Sequence, residues 1–161
     1  MTDHSLFIAG SVGEPLTGQE CRILRASLGL ERRHVAVLAD IVLGMGDITT
    51  ERVTGWERSR GRGYPAEVVT LLQTLAAAVE RGARLILEDR AGDGGDDRPV
   101  ILTPLEKGWA WQAVAKGYDI SPDMIERIDS GSGDLWPRLA DAALVLASYR
   151  VRETGGAVRL G

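Results

Sequence analysis

The run from Thr49 to Pro65 admits few structures. Thr49 and Thr50 open it with hydroxyls that can accept hydrogen bonds from the unpaired first amides of a helix. Val53 and Trp56, three apart, share the face suited to burial, while Glu51, Thr54, Gly55 and Arg58 share the opposite one. Gly61 and Gly63 stop the helix, and Pro65 stands where a following helix takes its first residue. A short helix with a slim core face and a polar, arginine-bearing outer face is what a DNA major groove accepts.

The residues before this stretch supply helices to hold it. Thr17 and Glu20 form a capping box for a first helix ending at Ser27 before Gly29. Its inner arc is Cys21, Leu24 and Leu28 with Ile23 at the edge, and its outer arc is Gln19, Arg22 and Arg25. A second helix is expected over 31–43 with Val35, Leu38, Ala39 and Val42 inward, broken by Gly44-Met45-Gly46-Asp47. A fourth runs from Pro65 to about Glu88 with Val68, Leu71, Leu72, Leu75, Val79, Leu85 and Ile86 at helical spacing. That is long for a helix closing a small bundle, so its far half is expected to reach the C-terminal part. Leu24, Leu28, Val53 and Trp56 are the expected core of the N-terminal bundle.

An acidic glycine run, Ala91 to Asp97, marks the internal boundary. It lacks the ligand spacing and distal Glu of an EF-hand calcium loop. Beyond it come a short strand at 99–102 and helices at about 104–116, 121–129 and 135–151. The last is apolar almost all round. Leu135, Trp136, Leu139, Ala142, Ala143, Leu146 and Tyr149 are its expected dimer interface, and several of them alternate steps of four and three, the spacing of a helix seam. The reading divides the chain into a tail (1–15), a DNA-binding bundle (16–90), a linker (91–98), a helical dimerisation or partner module (99–152) and a second tail (153–161). A faint repeat aligns Asp47-Ile48-Thr49-Thr50 with Asp119-Ile120-Ser121-Pro122, so 104–137 resembles a degenerate second copy whose acids suit packing better than DNA.

Composition sets limits. The 161 residues, 44% hydrophobic, can bury a core, and no apolar run approaches a membrane span. Together with a single cysteine, this leads to the expectation of a cytoplasmic protein. The net charge is −4, but residues 17–64 carry a balance of +2 on an otherwise acidic chain. A weakly basic segment fits a binder that does not coat DNA indiscriminately. Cys21 reads as a small buried apolar group. His4 and His34 have no metal-ligand spacing around them, and no nucleophile-base pair or phosphate-cradling glycine motif is present, so neither metal, cofactor nor catalysis is expected.

From Thr17 to about Val79 the chain resembles the lambda-repressor-like (Cro/Xre) helix-turn-helix domains. The resemblance is carried by the capped first helix, Leu28-Gly29-Leu30, a second helix, Val53-x-x-Trp56-Glu57-Arg58 and the Pro-started helix. Within that superfamily it looks most like the anti-CRISPR-associated autorepressors and their YdiL-like relatives, with Trp136-Pro137-Arg138-Leu139 and an Ala-rich helix resembling that family's final segment. It departs in the turn, where residues 41–47 replace the usual tight connection. The resemblance implies a mainly α fold, an N-terminal helix-turn-helix bundle of four to five helices plus a small C-terminal dimerisation module with at most one short strand. It also implies a homodimeric repressor of its own operon, bound to an inverted-repeat operator in double-stranded DNA. The DNA contacts are then Thr50, Glu51, Arg52, Thr54, Gly55 and Arg58 on the third helix, Arg60 and Arg62 at its exit, and Gln19 and Arg22 on the first. The alternatives are the antitoxin of a toxin–antitoxin pair, and a protein-binding adaptor whose helix-turn-helix shape does not meet DNA.

Overall fold

Thr17 caps α1 (Gly18–Ser27) as expected: its hydroxyl accepts from the Glu20 amide at 3.2 Å, and its own amide donates to Glu20 Oε1 at 3.0 Å, which holds that carboxyl below its usual range. The structure, a computed structural model, describes residues 12–58, 63–89, 99–106 and 108–160. The whole expected linker at 91–98, residues 1–11 of the first tail, and both Arg60 and Arg62 lie outside these residues. The fold is mainly α. After α1 come α2 (Arg32–Val37), α3 (Thr50–Arg58), α4 (Ala66–Glu88), β1 (Val100–Leu102), α5 (Trp109–Tyr118), α6 (Pro122–Ser132), α7 (Leu135–Glu153) and β2 (Val158–Leu160). No helix among the described residues is long and apolar enough to cross a membrane.

The residues between α2 and α3 form an ordered connection. The helix continues past Val37 as a π-helical turn, Leu38–Val42, with the Leu43 amide bonding back to the Leu38 carbonyl. Gly44, Gly46 and Asp47 then take left-handed backbone conformations and bring buried Ile48 under the start of α3. The same device recurs before α6. Asp47 (φ 51°) and Asp119 (φ 49°) are the two left-handed non-glycine residues among those described. Each precedes a buried isoleucine, Ile48 or Ile120. Each is then followed by a hydroxyl, Thr49 or Ser121, that accepts from an amide three residues on at 3.2 Å. The faint sequence repeat is thus matched in local geometry, although the second copy uses the tight turn Asp119–Ser121 and exposes Asp123, Glu126 and Asp129 on its helix.

One hydrophobic cluster runs from Cys21 on α1 to Val151 on α7, so the two expected modules share a core. The α4 helix lies at its centre. Its near half carries Val68, Leu71, Leu72 and Leu75 inward; farther on, Val79, Ala83 and Ile86 are buried and α7 packs along it. Gly82 permits the closest approach: an added Cβ would stand 2.6 Å from the Trp109 ring of α5. Leu85, expected inward, is 46% exposed.

Three expectations are corrected here. The all-round apolar character of α7 serves this chain's own core: Leu135, Trp136, Leu139 and Ala143 are buried within the single chain, leaving Ala142 and Leu146 half-buried and Tyr149 exposed. A seam read from spacing alone could not distinguish an internal neighbour from a second subunit. The helix expected at 104–116 starts only at Trp109, because Thr103 to Glu106 first carry the chain from β1. The expected C-terminal tail instead finishes α7 and then forms β2, which pairs in parallel with β1 (Val100 with Val158, Leu102 with Leu160).

Candidate nucleic-acid interface

The α3 helix is displayed on the surface and held from below by one carboxylate. Glu57, on its inner face, has a side chain only 1% exposed. Its oxygens accept from Arg25 of α1 (Nε 2.9 Å, Nη2 3.1 Å), from Arg32 of α2 (Nε 3.1 Å) and from the Tyr64 hydroxyl (2.6 Å). Burial alone would push this carboxyl up, but the hydrogen bonds from Arg25, Tyr64 and Arg32 outweigh it and hold it below the usual range. Tyr64 is pushed upward, first by burial and then by the Glu57 charge beside it. Two glycines let the backbones close round this centre. A Cβ on Gly18 would lie 2.9 Å from the Trp56 and Glu57 carbonyl oxygens, and Gly63 (φ 64°) approaches the Leu16 carbonyl as closely.

With its inner face so fixed, α3 turns the rest outward. Thr50, Glu51, Arg52, Gly55 and Arg58 are exposed, as are Gln19 and Arg22 on α1. Thr54 is half-buried and its hydroxyl donates to the Thr50 carbonyl at 3.0 Å. Around the Gly55 Cα there is room: an added Cβ would meet nothing within 4 Å. Among the core residues, Leu24, Leu28 and Val53 are fully buried. Trp56 is corrected: it is half-buried at the edge of the core, its ring edge-on to Tyr64 (centroids 5.9 Å apart) with the Arg52 guanidinium 5.9 Å from its centroid. The Val53–Trp56 spacing gave the right side of the helix, but Glu57, a full turn from Val53, takes the deeper position.

Beside α3 lies a cleft of about 450 Å³ lined by Arg22, Arg25, Glu31, Arg32, Arg33 and Thr50. Four guanidinium-bearing chains and one carboxylate face it, at the N-terminus of α3, where helix amides favour anions. Sequence reading singled out Arg22 and Thr50 but missed Arg32 and Arg33. Their signal was available: two cations in the first turn of a helix oppose its dipole and call for anionic partners. Arg33 finds one in Asp134 at the start of α7 (Nη1–Oδ1 3.2 Å, Nη2–Oδ2 2.6 Å) and another in Glu31. The same Asp134 accepts from Arg138 Nε at 2.8 Å and faces buried His34 at 3.0 Å, and its carboxyl is held well below the usual range, first by Arg33 and then by His34.

Among the described residues no group of three His, Cys, Asp or Glu could hold a metal ion. Cys21 is buried on the inner face of α1, and burial pushes its thiol up. No protein-family model, curated protein or solved structure matches this chain.

Proposed function

We propose that this protein binds double-stranded DNA sequence-specifically and represses transcription as a homodimer, with α3 in the major groove and steric exclusion of polymerase as the mechanism. The observation that carries the reading is the junction at Thr50, where the outward face of α3 meets the arginine cleft. A base-reading surface and a phosphate-holding surface are then adjacent, as such recognition requires. Open space at Gly55 allows the helix to lie close to a duplex, and the Glu57 centre fixes its angle. On this reading Arg58, Glu51 and Thr54 meet base edges, and Arg22 and Arg32 meet phosphates.

The test is binding of duplex DNA from immediately upstream of the protein's own gene, followed by fluorescence anisotropy at stepped salt. Saturable binding is expected, stronger than to scrambled duplex, with a log–log salt slope of about −0.9 per phosphate neutralised. Equal affinity for both duplexes removes sequence specificity. No binding at low salt removes DNA and favours a protein-binding adaptor.

A further inference from the structure

Of the expected α7 seam, Ala142, Leu146 and Tyr149 remain at the surface. Between the end of α1 and the middle of α7 runs a groove of about 490 Å³ with Ala26, Ala142 and Leu146 among its lining residues. Val145 and Tyr149 stand along it, 68% and 57% exposed, the two most exposed large apolar side chains of α7. Asp141 is exposed on the same stripe.

Spacing makes this stripe self-complementary. Asp141 and Tyr149 each lie four residues from Val145, about 6 Å along the helix axis in opposite directions. Two α7 helices crossing antiparallel about a two-fold axis at Val145 would therefore set each Tyr149 hydroxyl, a donor, opposite the other copy's Asp141 carboxylate, an acceptor. Small Ala26 and Ala142 allow close approach, and Leu146 adds apolar area. Arg138, at the groove's end, already donates to Asp134 and to the Gly29 carbonyl, so the stripe offers no free cluster of one charge to attract a strongly basic or acidic partner.

We infer that this α1–α7 groove is the homodimer interface, occupied by a second copy of the chain with Val145 at the two-fold axis and Tyr149 of each copy bonded to Asp141 of the other. The inference rests on the homodimeric part of the reading above and is independent of DNA. It also ties the two surfaces together. Ala26 and Ser27 line the groove, and they share a neighbouring depression with Gln19 and Arg22, which leads on to the arginine cleft. Docking across α7 would thus fix one α3 relative to the other through α1.

The experiment is site-directed cross-linking of the full chain. Packed helix axes about 8–10 Å apart bring equivalent residues at a two-fold within disulfide reach. Val145→Cys should link to its own copy on mild oxidation and run mostly at twice the chain mass on a non-reducing gel. Asp141→Cys should not, because its copies are about 12 Å apart along the axis. The unmodified chain is the control, since its one cysteine, Cys21, is buried. Sedimentation should give two chains for the unmodified protein and one for Val145→Glu with helical content retained. A chain that sediments as a monomer throughout the micromolar range overturns the inference. So does a dimer in which Val145→Cys does not link, or in which both cysteines link alike, or one that Val145→Glu leaves intact. A dimer without DNA affinity removes the DNA reading and leaves this interface standing. A DNA-binding monomer does the reverse.

Discussion

His34 Nε2 lies 3.0 Å from Asp134 Oδ1, although the two residues are 100 positions apart. The other ring nitrogen, Nδ1, accepts from the Glu31 amide at 2.8 Å, so the proton sits on Nε2 and is donated to the carboxylate. Together with Arg33 and Arg138, this cluster joins the start of α2 to the start of α7. Replacing His34 by Ala would leave the Glu31 amide without its acceptor and open a space in a fully buried position. The expected cost is about 1–3 kcal/mol in urea unfolding. Asp134→Asn should lower the melting temperature and speed amide exchange in both α2 and the first turn of α7. Exchange that quickens in only one of them would show that the cluster does not couple the two halves.

Glu57 and Asp134 both titrate below their ordinary values of 4.5 and 3.8. A carboxyl depressed in the folded state adds stability that is complete above its ordinary value and lost as pH falls through the folded one. Unfolding free energy is therefore expected to hold near neutral pH and to decline below about pH 4.5. Removing the Glu57 charge with Glu57→Gln should flatten that decline. Glu57→Ala should cost about 3–5 kcal/mol at pH 7, since it strips the shared partner from Arg25 and Arg32 beneath α3. Equal acid sensitivity in the native chain and Glu57→Gln would locate the titration elsewhere.

How much of this was legible in the sequence depended on the range of the interaction. The Thr17–Glu20 box, the inward Leu24 and Leu28, and the stop after Ser27 are local, and capping chemistry and periodicity read them directly. The π turn and left-handed Asp47 were visible only as surplus residues, because sequence does not say how such a loop spends its length. Asp134 stands just before the helix expected over 135–151. Nothing near it announces Arg33 or His34, which the fold alone brings across. Leu135, Trp136, Leu139 and Ala143 of the α7 seam failed for the same reason: apolar spacing shows that a face is covered, and only tertiary structure shows that the chain's own core covers it. At the candidate interface the outward set on α3 was readable from Val53, yet the Glu57 centre that fixes its angle was not.

Trp56 tests the corrected depth of the α3 core. An aromatic in a fully buried site costs about 3–5 kcal/mol on truncation to Ala. Half-buried Trp56 should cost less, about 1–3 kcal/mol, from its lost apolar area and its edge contact with Tyr64. Its fluorescence should be accessible to a small neutral quencher, measured in a variant with Trp109, Trp111 and Trp136 replaced by Phe. A cost at the higher figure combined with a shielded ring would return Trp56 to the core.

Gly55 separates folding from recognition. It sits mid-helix, and a side chain there meets open space, so Gly55→Ala should raise stability by about 0.5–1 kcal/mol through the helix preference of Ala. Gly55→Glu should leave the fold intact, yet it places a carboxylate where the proposed reading brings α3 against the duplex. DNA affinity should then fall at least tenfold, through lost backbone approach and repulsion from phosphate. Two arginines refine the assignment. Arg58→Ala should cost about 1–3 kcal/mol and relax preference at one base position, whereas Arg22→Ala should weaken all sequences alike and reduce the salt slope by about one. Anisotropy on a panel of single-base variants at several salt concentrations measures all three. If Gly55→Glu folds and binds DNA as the native chain does, α3 is not the element that enters the groove, whatever the arginines around it do.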